Sequence, residues 1–246
     1  MTSVIFGGSS GIGHSIVRDL LKNGHSDIVN IDITPSDIAS RNILGDLSCD
    51  KFVQSVLLKL NGFDKIDSVI WTVRYRHSDQ MNDIDIVKNS FDVELFPLVK
   101  LLSDLSSRLI TDGTSVVIIS SIASKLISSQ HFAYNLVKSA QESLVRALAV
   151  KYGDNSSVRI NAICPGIVDI PGRSSTLNSQ YSEAALLRKS SVPRPLTVHV
   201  DEISKLCTFL LSQASSALNG ATLVADGGES ILDQYFVAQR TFNSFS

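Results

Sequence analysis

Residues 3–13 read SVIFGGSSGIG, and this stretch decides the fold class of the 246-residue chain. A short run of strand-forming residues passes through glycines and serines directly into a helical pattern, with Ile12, Ile16 and Leu20 on one face. Such a turn lets the backbone approach an anion, and the helix N-terminus supplies free N–H groups. We therefore expect it to bind the pyrophosphate of a dinucleotide; a tight turn without a ligand is the alternative. The residues expected to contact that group are Gly7, Ser9, Ser10, Gly11, Ile12 and Gly13.

Short apolar runs alternate with helical patterns along the rest of the chain. Six further strands are predicted at 27–31, 42–44, 68–71, 115–120, 158–163 and 221–225. Helices are predicted at 11–22, 49–60, 84–109, 131–151 and 201–211. Pro97 predicts a kink in the longest of them. Apolar strands separated by helices indicate an α/β fold with one domain over residues 1–246: a doubly wound parallel sheet (a Rossmann fold) of about seven strands with helices on both faces.

The composition excludes several classes of protein. The chain carries 22 basic and 24 acidic side chains, a formal charge of -2, which predicts no nucleic-acid partner. Its 3 cysteines are too few and too scattered for a disulfide framework or a zinc site, so no metal site is predicted. The N-terminus shows no leader pattern, and the apolar runs are far shorter than the ~20 residues of a membrane span. We expect a cytoplasmic protein with no membrane partner.

Asp32 indicates which dinucleotide the turn would bind. It ends the second predicted strand, where a carboxylate accepts hydrogen bonds from the adenosine ribose hydroxyls. The same charge repels a 2′-phosphate, and the turn itself carries Ser10 rather than a lysine or arginine. The sequence therefore predicts NAD(H) rather than NADP(H) as the cofactor. The alternative for Asp32 is a solvated carboxylate at a strand end.

Ser121, Tyr134 and Lys138 are the candidate catalytic residues. Tyr134 and Lys138 lie one turn apart on a predicted helix and so face the same way. A phenol is mostly protonated at pH 7, and a nearby ammonium favours the phenolate that acid-base chemistry needs. Ser121 ends the fifth predicted strand and is placed to donate a hydrogen bond to a substrate oxygen. Alone, a tyrosine and a lysine at this spacing are mostly a coincidental surface pair.

With these motifs in this order, the chain resembles the short-chain dehydrogenase/reductase family over Val4–Gly228. The further matching stretches are DL at 46–47, ISS at 119–121, YNLVK at 134–138, NAICPG at 161–166 and DGG at 226–228. The resemblance implies that Tyr134 is the general acid/base, that Ser121 orients the substrate oxygen and that Lys138 binds the nicotinamide ribose.

The resemblance also implies further residues that contact the cofactor, and it implies that the chain forms a homo-oligomer. Asp46, followed by Leu47, would contact the adenine. The loop containing Pro165, Gly166 and Val168 would flank the nicotinamide. A homo-oligomer, either a dimer or a tetramer, is implied as well, and the aromatic residues of the tail 229–246 favour a subunit contact there.

The chain departs from the family pattern at four places. Phe6 stands where the family has a threonine, WTVR at 71–74 replaces Asn-Asn-Ala-Gly, Glu94 replaces the asparagine of the catalytic tetrad, and Ile170 replaces a threonine after Pro-Gly. Arg74 is a candidate for pairing with a substrate carboxylate or phosphate, with the cofactor pyrophosphate or a partner subunit as alternatives. Glu94 is a candidate proton relay from Lys138 to solvent, or only occupies the position.

The function predicted from these residues is an NAD(H)-dependent oxidoreductase. It would transfer hydride between the nicotinamide and a secondary alcohol or ketone of a small metabolite, and pairing with Arg74 would favour an anionic one. Residues 172–192, rich in serine, threonine and asparagine, would form a substrate loop. The alternative is a catalytically weak or inactive dinucleotide-binding sensor or structural protein. A third reading keeps the fold but performs an epimerase or dehydratase reaction with tightly held cofactor.

Overall fold

Seven parallel strands form the sheet that organises the protein. The computed structural model describes residues 1–76, 82–105, 113–127, 132–153, 158–170, 192–193 and 198–245. The sheet strands are β1 (Thr2–Phe6), β2 (Asp27–Asp32), β3 (Arg41–Leu44), β4 (Ser68–Trp71), β5 (Ser115–Ile119), β6 (Arg159–Pro165) and β9 (Thr222–Ala225). A second, two-stranded sheet pairs β7 (Val168–Asp169) with β8 (Val198–His199). The seven predicted strands are confirmed; the short β7–β8 pair was not predicted.

The strand order is β3-β2-β1-β4-β5-β6-β9, which is a doubly wound arrangement. From β1 the chain winds outwards to β2 and β3, then returns to place β4 on the other side of β1 and continues outwards. The order reverses between β1 and β4, so a crevice opens beyond the carboxyl ends of these two strands. The glycine turn follows β1 and Arg74 follows β4. The fold therefore brings both segments to the same edge of the sheet.

Helices cover both faces of the sheet. They are α1 (Gly11–Lys22), α2 (Asp50–Leu60), α3 (Asp83–Glu94), α4 (Phe96–Leu105), α5 (Phe132–Gly153), α6 (Val200–Leu211) and α7 (Gln234–Phe245). Successive strand residues point to opposite faces. Val4 and Phe6 belong to the apolar layer under α2, α4 and α5, whereas Ile5 belongs to the layer under α1 and α6. Both layers contain fully buried apolar side chains, as expected of a parallel sheet that is covered on both faces.

The prediction of one kinked helix over 84–109 was wrong. Two helices occupy this segment, α3 and α4, and they separate at Leu95. Pro97 lacks a backbone N–H, and its ring crowds the carbonyl of Val93, so the helical ladder is interrupted within the turn before the proline. Residues 106–109 lie outside the described residues. So does the predicted substrate loop 172–192, except for Val192, which is buried.

Between β2 and β3 the chain forms a loop instead of a helix, as the short spacing from Asp32 to Asp46 indicates. Asn42 stabilises this loop, because its side-chain oxygen accepts hydrogen bonds from Ser36 N (2.8 Å) and from Asn30 Nδ2 (2.9 Å). Asn30 is fully buried in β2 and also reaches the glycine turn. The loop and the turn are therefore held by one amide network. Among the described helices, none has the length and apolar character that a bilayer crossing requires.

Candidate active site

The glycine turn is held in a conformation that only glycine adopts without strain. Gly7 has φ 88° and Gly11 has φ 56°. A Cβ on Gly13 would lie 2.0 Å from the carbonyl oxygen of Gly7, so no side chain fits there. Thr72, just after β4, donates its hydroxyl to that same Gly7 oxygen at 2.8 Å. The turn is thus fixed from two sides, by the start of α1 and by the end of β4.

The first turn of α1 has backbone N–H groups that no side chain caps. Ser10 occupies the N-cap position but makes no side-chain capping hydrogen bond, and the first N–H groups of a helix have no acceptor within it. Two earlier N–H groups of the turn are already used, since Gly8 N donates to Asn30 Oδ1 at 2.9 Å and Ser9 N donates to Asp32 Oδ2 at 3.1 Å. These uncapped donors at a helix N-terminus fit a pyrophosphate.

Asp32 lies at the carboxyl end of β2 beside the turn. Its Oδ1 accepts a hydrogen bond from Ile33 N at 2.7 Å, and its Oδ2 accepts one from Ser9 N. Each carboxylate oxygen retains a further acceptor site, which is the capacity that a pair of ribose hydroxyls needs. Asp46 follows β3 and is exposed; its Oδ1 accepts from Ser48 N at 2.9 Å. Leu47 is buried in the apolar layer of the core.

Ser121 and Tyr134 lie on different elements, and the fold brings their segments together. Ser121 begins the 3-10 turn Ile122–Ser124 after β5, and its Oγ accepts from Ala123 N at 3.2 Å. The turn packs on α5, because Ser139 Oγ and Asn135 Nδ2 donate to carbonyls of Ser124 and Ala123. Tyr134 is half-buried near the start of α5. Among the residues that the structure describes, none accepts a hydrogen bond from the Ser121 hydroxyl.

Lys138 is almost completely buried, and its ammonium is surrounded by acceptors. Its Nζ lies 2.9 Å from Glu94 Oε2, and only 3% and 1% of the two side chains are exposed. The Nζ also donates to Gln141 Oε1 at 3.0 Å and to the Ile119 carbonyl at 3.3 Å. An ammonium has three N–H donors, so each of them has a protein acceptor. Its distance to the Tyr134 ring centroid is 5.5 Å.

Glu94 is the last residue of α3 and belongs to a closed network. Its Oε1 accepts from the backbone N–H of Tyr75, in the segment after β4, at 2.9 Å. Gln141 Nε2 donates to the Glu94 carbonyl at 3.0 Å, while Gln141 Oε1 accepts from Lys138. Gln141 was not predicted from the sequence. It lies one turn after Lys138 on α5, and this spacing alone indicates that the two side chains are neighbours.

Arg74 lies over the ring of Tyr134. Its guanidinium carbon is 4.4 Å from the ring centroid, closer than the ammonium of Lys138. The side chain is exposed, and within the described ranges no carboxylate lies within the 4.0 Å ion-pair limit of its nitrogens. Arg74 was predicted as a candidate anion-binding residue, but its stacking on Tyr134 was not predicted.

The segment after β6 lies beside the glycine turn. Gly166 N donates to the Ala225 carbonyl at 3.1 Å, and a Cβ on Gly166 would lie 2.9 Å from the Cβ of Asp226. Pro165 ends β6, and Val168 begins β7. Ile170 Cδ1 lies 3.4 Å from the position that a Cβ on Gly11 would take. Ile170 therefore covers the turn with an apolar side chain where the family pattern has a hydroxyl.

Two titratable groups near this segment are clearly perturbed. Burial, followed by the hydrogen bond and the negative charge of Glu142, raises the pKa of the Cys164 thiol to about 12. Burial acts to raise the pKa of Asp226, but hydrogen bonds from Ser230 and Gly228 outweigh it and lower that pKa overall. These hydrogen bonds hold the turn after β9, and Asp226 in that turn lies against Gly166.

Comparisons with known proteins show which family the chain is similar to. A family model described as Enoyl-(Acyl carrier protein) reductase matches residues 7–230. L-xylulose reductase of Bos taurus is 26% identical over 239 residues, covering 92% of this chain and 95% of the relative. Protein MoaE of Klebsiella aerogenes is 36% identical over 132 residues, 51% of each chain. A short-chain dehydrogenase family protein from Francisella tularensis superposes with a TM-score of 0.82 at 27% identity, over 94% of this chain and 99% of that one.

The chain belongs to the short-chain dehydrogenase/reductase family. The fold and family expected from the sequence are therefore confirmed. This is a family of oxidoreductases whose fold binds a nicotinamide dinucleotide. The candidate active site departs from the family pattern by an added carboxylate, Glu94, and an added guanidinium, Arg74.

Proposed function

We propose that the chain is an NAD(H)-dependent oxidoreductase that interconverts a secondary alcohol and a ketone of a small metabolite. The observation that carries the proposal is the position of Tyr134, one turn before Lys138 on α5 and under the guanidinium of Arg74. A phenol in contact with cations is suited to exchange a proton with an alcohol oxygen. Ser121, which follows β5, would supply a second hydroxyl for the same oxygen.

The proposal assigns the cofactor to the edge of the sheet beyond β1 and β4. The uncapped N-terminus of α1 would hold the pyrophosphate, with Gly7, Ser9 and Ser10 shaping the turn. Asp32 would accept the ribose hydroxyls, and its charge favours NAD(H) over NADP(H). When bound, the nicotinamide supplies a hydride acceptor or donor, so the protein's own residues handle the proton and the oxygen. The remaining proposed contacts are with Gly11, Ile12, Gly13, Asp46, Leu47, Pro165, Gly166 and Val168.

The proposed proton chemistry is carried by two residues of this chain. In the reductive direction the Tyr134 hydroxyl gives its proton to the carbonyl oxygen as that oxygen gains negative charge. The Ser121 hydroxyl donates a hydrogen bond to the same oxygen and stabilises the developing charge. Lys138 is held by Glu94 and Gln141, and it would thereby fix the orientation of the part of α5 that carries Tyr134.

We also propose that the protein is a cytoplasmic homo-oligomer. Its three cysteines are free, which fits a reducing compartment. Large aromatic side chains of α7 are exposed: Tyr235 at 75% and Phe242 at 77%. Aromatic surface of this kind is typical of subunit contacts.

A panel assay tests the proposed function. The purified protein is mixed with NAD⁺ or NADP⁺ and a set of secondary alcohols, and reduced nicotinamide is followed by its absorbance. Turnover with at least one alcohol and a preference for NAD⁺ supports the proposal. Tight NAD binding without turnover of any alcohol or ketone contradicts it in favour of a binding protein. NAD that stays bound through purification while a substrate is converted without net reduction points instead to an epimerase or dehydratase.

A further inference from the structure

One buried amide side chain lies between the two parts of the proposed cofactor site. Asn30 belongs to β2 and precedes Asp32 by two residues, so the two side chains point to the same face of the sheet. This face is the mostly apolar one under α1 and α6, and Asn30 is completely buried there. Burying an amide costs free energy unless its polar atoms are hydrogen-bonded. Asn30 meets this condition through contacts on two sides.

On one side Asn30 contacts the glycine turn. Its Oδ1 accepts a hydrogen bond from Gly8 N at 2.9 Å, and its Nδ2 donates one to Ser9 Oγ at 3.0 Å. The contact is so close that a Cβ on Gly8 would lie 2.7 Å from the Asn30 oxygen. Ser9 in turn donates its backbone N–H to Asp32 and its hydroxyl to the Thr34 carbonyl. Asn30 therefore fixes the residue that joins the turn to the end of β2.

On the other side Asn30 contacts the loop between β2 and β3. Its Nδ2 also donates to Asn42 Oδ1 at 2.9 Å. Asn42 holds the backbone of Ser36 at both of its polar atoms, because Ser36 N donates to Asn42 Oδ1 at 2.8 Å and Asn42 Nδ2 donates to the Ser36 carbonyl at 3.0 Å. A side-chain amide has two N–H donors, so both donors of Asn30 are used. One donates to the turn and the other to the loop.

Asn30 can act on ligand binding only through its neighbours, because none of its surface is exposed. A buried network whose polar atoms are all hydrogen-bonded favours a single arrangement of its members. In the proposed function the turn binds the pyrophosphate, and Asp32, at the start of the loop, binds the adenosine ribose. The separation of turn and loop then decides whether one dinucleotide contacts both at once. A ligand binds more tightly to a site that is already ordered.

We propose that Asn30 is the positioning residue of the cofactor site and that it acts together with Asn42. The two amides set the separation between the glycine turn and the β2–β3 loop, and thereby the affinity for the adenosine diphosphate part of the dinucleotide. The inference rests on the part of the proposed function that assigns the cofactor to this edge of the sheet. It does not rest on the alcohol chemistry or on the preference between NAD(H) and NADP(H).

Dissociation constants of Asn42→Ala and Asn30→Ala test the proposal. Asn42 is exposed, so its replacement leaves the core intact and decides the test even if Asn30→Ala does not fold. Kd is measured for whichever of NADH and NADPH the wild type binds more tightly, by the fluorescence of the bound nucleotide, and for ADP-ribose by displacement. We expect both values to rise about threefold in Asn42→Ala and about tenfold in Asn30→Ala, the size of one to two hydrogen bonds.

Asn23→Ala is the matched control. Asn23 is also exposed, and its side-chain amide donates to the Asp19 carbonyl at 2.8 Å at the opposite end of α1 from the turn. Its Kd values should equal those of the wild type. Urea unfolding of each variant separates positioning from stability. Wild-type Kd values in Asn42→Ala overturn the proposal, whether or not the urea midpoint falls, and so does an equal rise in Asn23→Ala.

Turnover distinguishes a failure of this inference from a failure of the proposed function. If an alcohol is oxidised, we expect KM for the dinucleotide to rise in Asn42→Ala by the same factor as Kd, with kcat unchanged at saturation. Turnover with wild-type KM and Kd in Asn42→Ala means that the inference is wrong and the proposed function stands. The expected change in Kd without turnover of any alcohol means the reverse. A wild type that binds neither NADH nor NADPH contradicts both.

Discussion

Asp32 is the residue on which the predicted cofactor preference depends. It already accepts the N–H groups of Ser9 and Ile33, so its carboxylate is fixed in place beside the glycine turn. We expect Asp32→Ala to raise the ratio of NADPH to NADH affinity at least about tenfold, a change of about 1.4 kcal/mol, because the charge that repels a 2′-phosphate is gone. Dissociation constants for both nucleotides, measured by the fluorescence change on binding, give the ratio.

Asp37→Ala is the control for this measurement. Asp37 lies in the same β2–β3 loop, is 80% exposed and pairs only with His14 among the described residues. Its removal changes the net charge equally and should leave the ratio unchanged. An Asp32→Ala ratio equal to that of the wild type would show that Asp32 does not discriminate between the nucleotides.

The sequence predicted the position of single residues where one element fixes their spacing. Tyr134 and Lys138 share α5, so the helical repeat alone placed them on one side. The ion pair of Lys138 with Glu94 joins α5 to α3, and a helical repeat says nothing about contacts between helices. The same reason explains why Arg74, from the segment after β4, was predicted at the carboxyl edge of the sheet but not on the ring of Tyr134.

At the scale of elements, the break between α3 and α4 has a consequence for the site. Pro97 interrupts the helix, and the Glu94 carbonyl near the break accepts from Gln141 on α5. The sequence predicted a disturbance here because proline disturbs any helix. It did not predict that the helix ends at Glu94, because the buried partners of Glu94 come from α5 and from the segment after β4.

The contact between α1 and α6 predicts how stability depends on pH. Asp201 lies in the first turn of α6, and its carboxylate accepts hydrogen bonds from Ser15 (2.9 Å) and Arg18 of α1. The hydrogen bond from Ser15, followed by those from Arg18 and its charge, lowers the pKa of Asp201 despite the opposing effect of burial. A carboxyl whose folded-state pKa is depressed stabilises the fold above its unfolded value, and this contribution is lost as the pH falls through the folded value.

We therefore expect the free energy of unfolding to fall less steeply below about pH 4 in Asp201→Asn than in the wild type. Urea titrations at a series of pH values measure the two slopes. Asp64→Asn is the control, because Asp64 is exposed, and its slope should match that of the wild type. Equal slopes for Asp201→Asn and the wild type would mean that the α1–α6 contact does not depend on this carboxylate.

At the scale of the whole molecule, the exposed aromatic side chains of α7 predict self-association. Size-exclusion chromatography with light scattering should give a mass two or four times the 26.6 kDa of the chain. Replacing both Tyr235 and Phe242 with serine should shift the distribution towards the monomer. Leu58→Ser is the control, because Leu58 is 74% exposed on α2 and distant in sequence from α7. A monomeric wild type would contradict the expected assembly.

The order of the elements explains why the overall architecture was predictable. The strands β1, β4 and β5 consist mostly of apolar residues, and each connection from β3 to β6 is long enough for a helix, so local patterns were enough. The β7–β8 pair was missed because each of its strands has only two residues, and its partners are separated by a long segment. Short strands of this kind carry no periodic signal.

The measurement that tests the central claim most directly is the turnover of Tyr134→Phe beside its affinity for NADH. We expect kcat to fall at least about a hundredfold, the usual contribution of a general acid or base, while the dissociation constant for NADH stays within about twofold. Tyr152→Phe, on the same helix with its hydroxyl hydrogen-bonded to the Leu102 carbonyl, should keep wild-type turnover. Undiminished turnover in Tyr134→Phe would contradict the assignment of Tyr134 as the group that exchanges the proton.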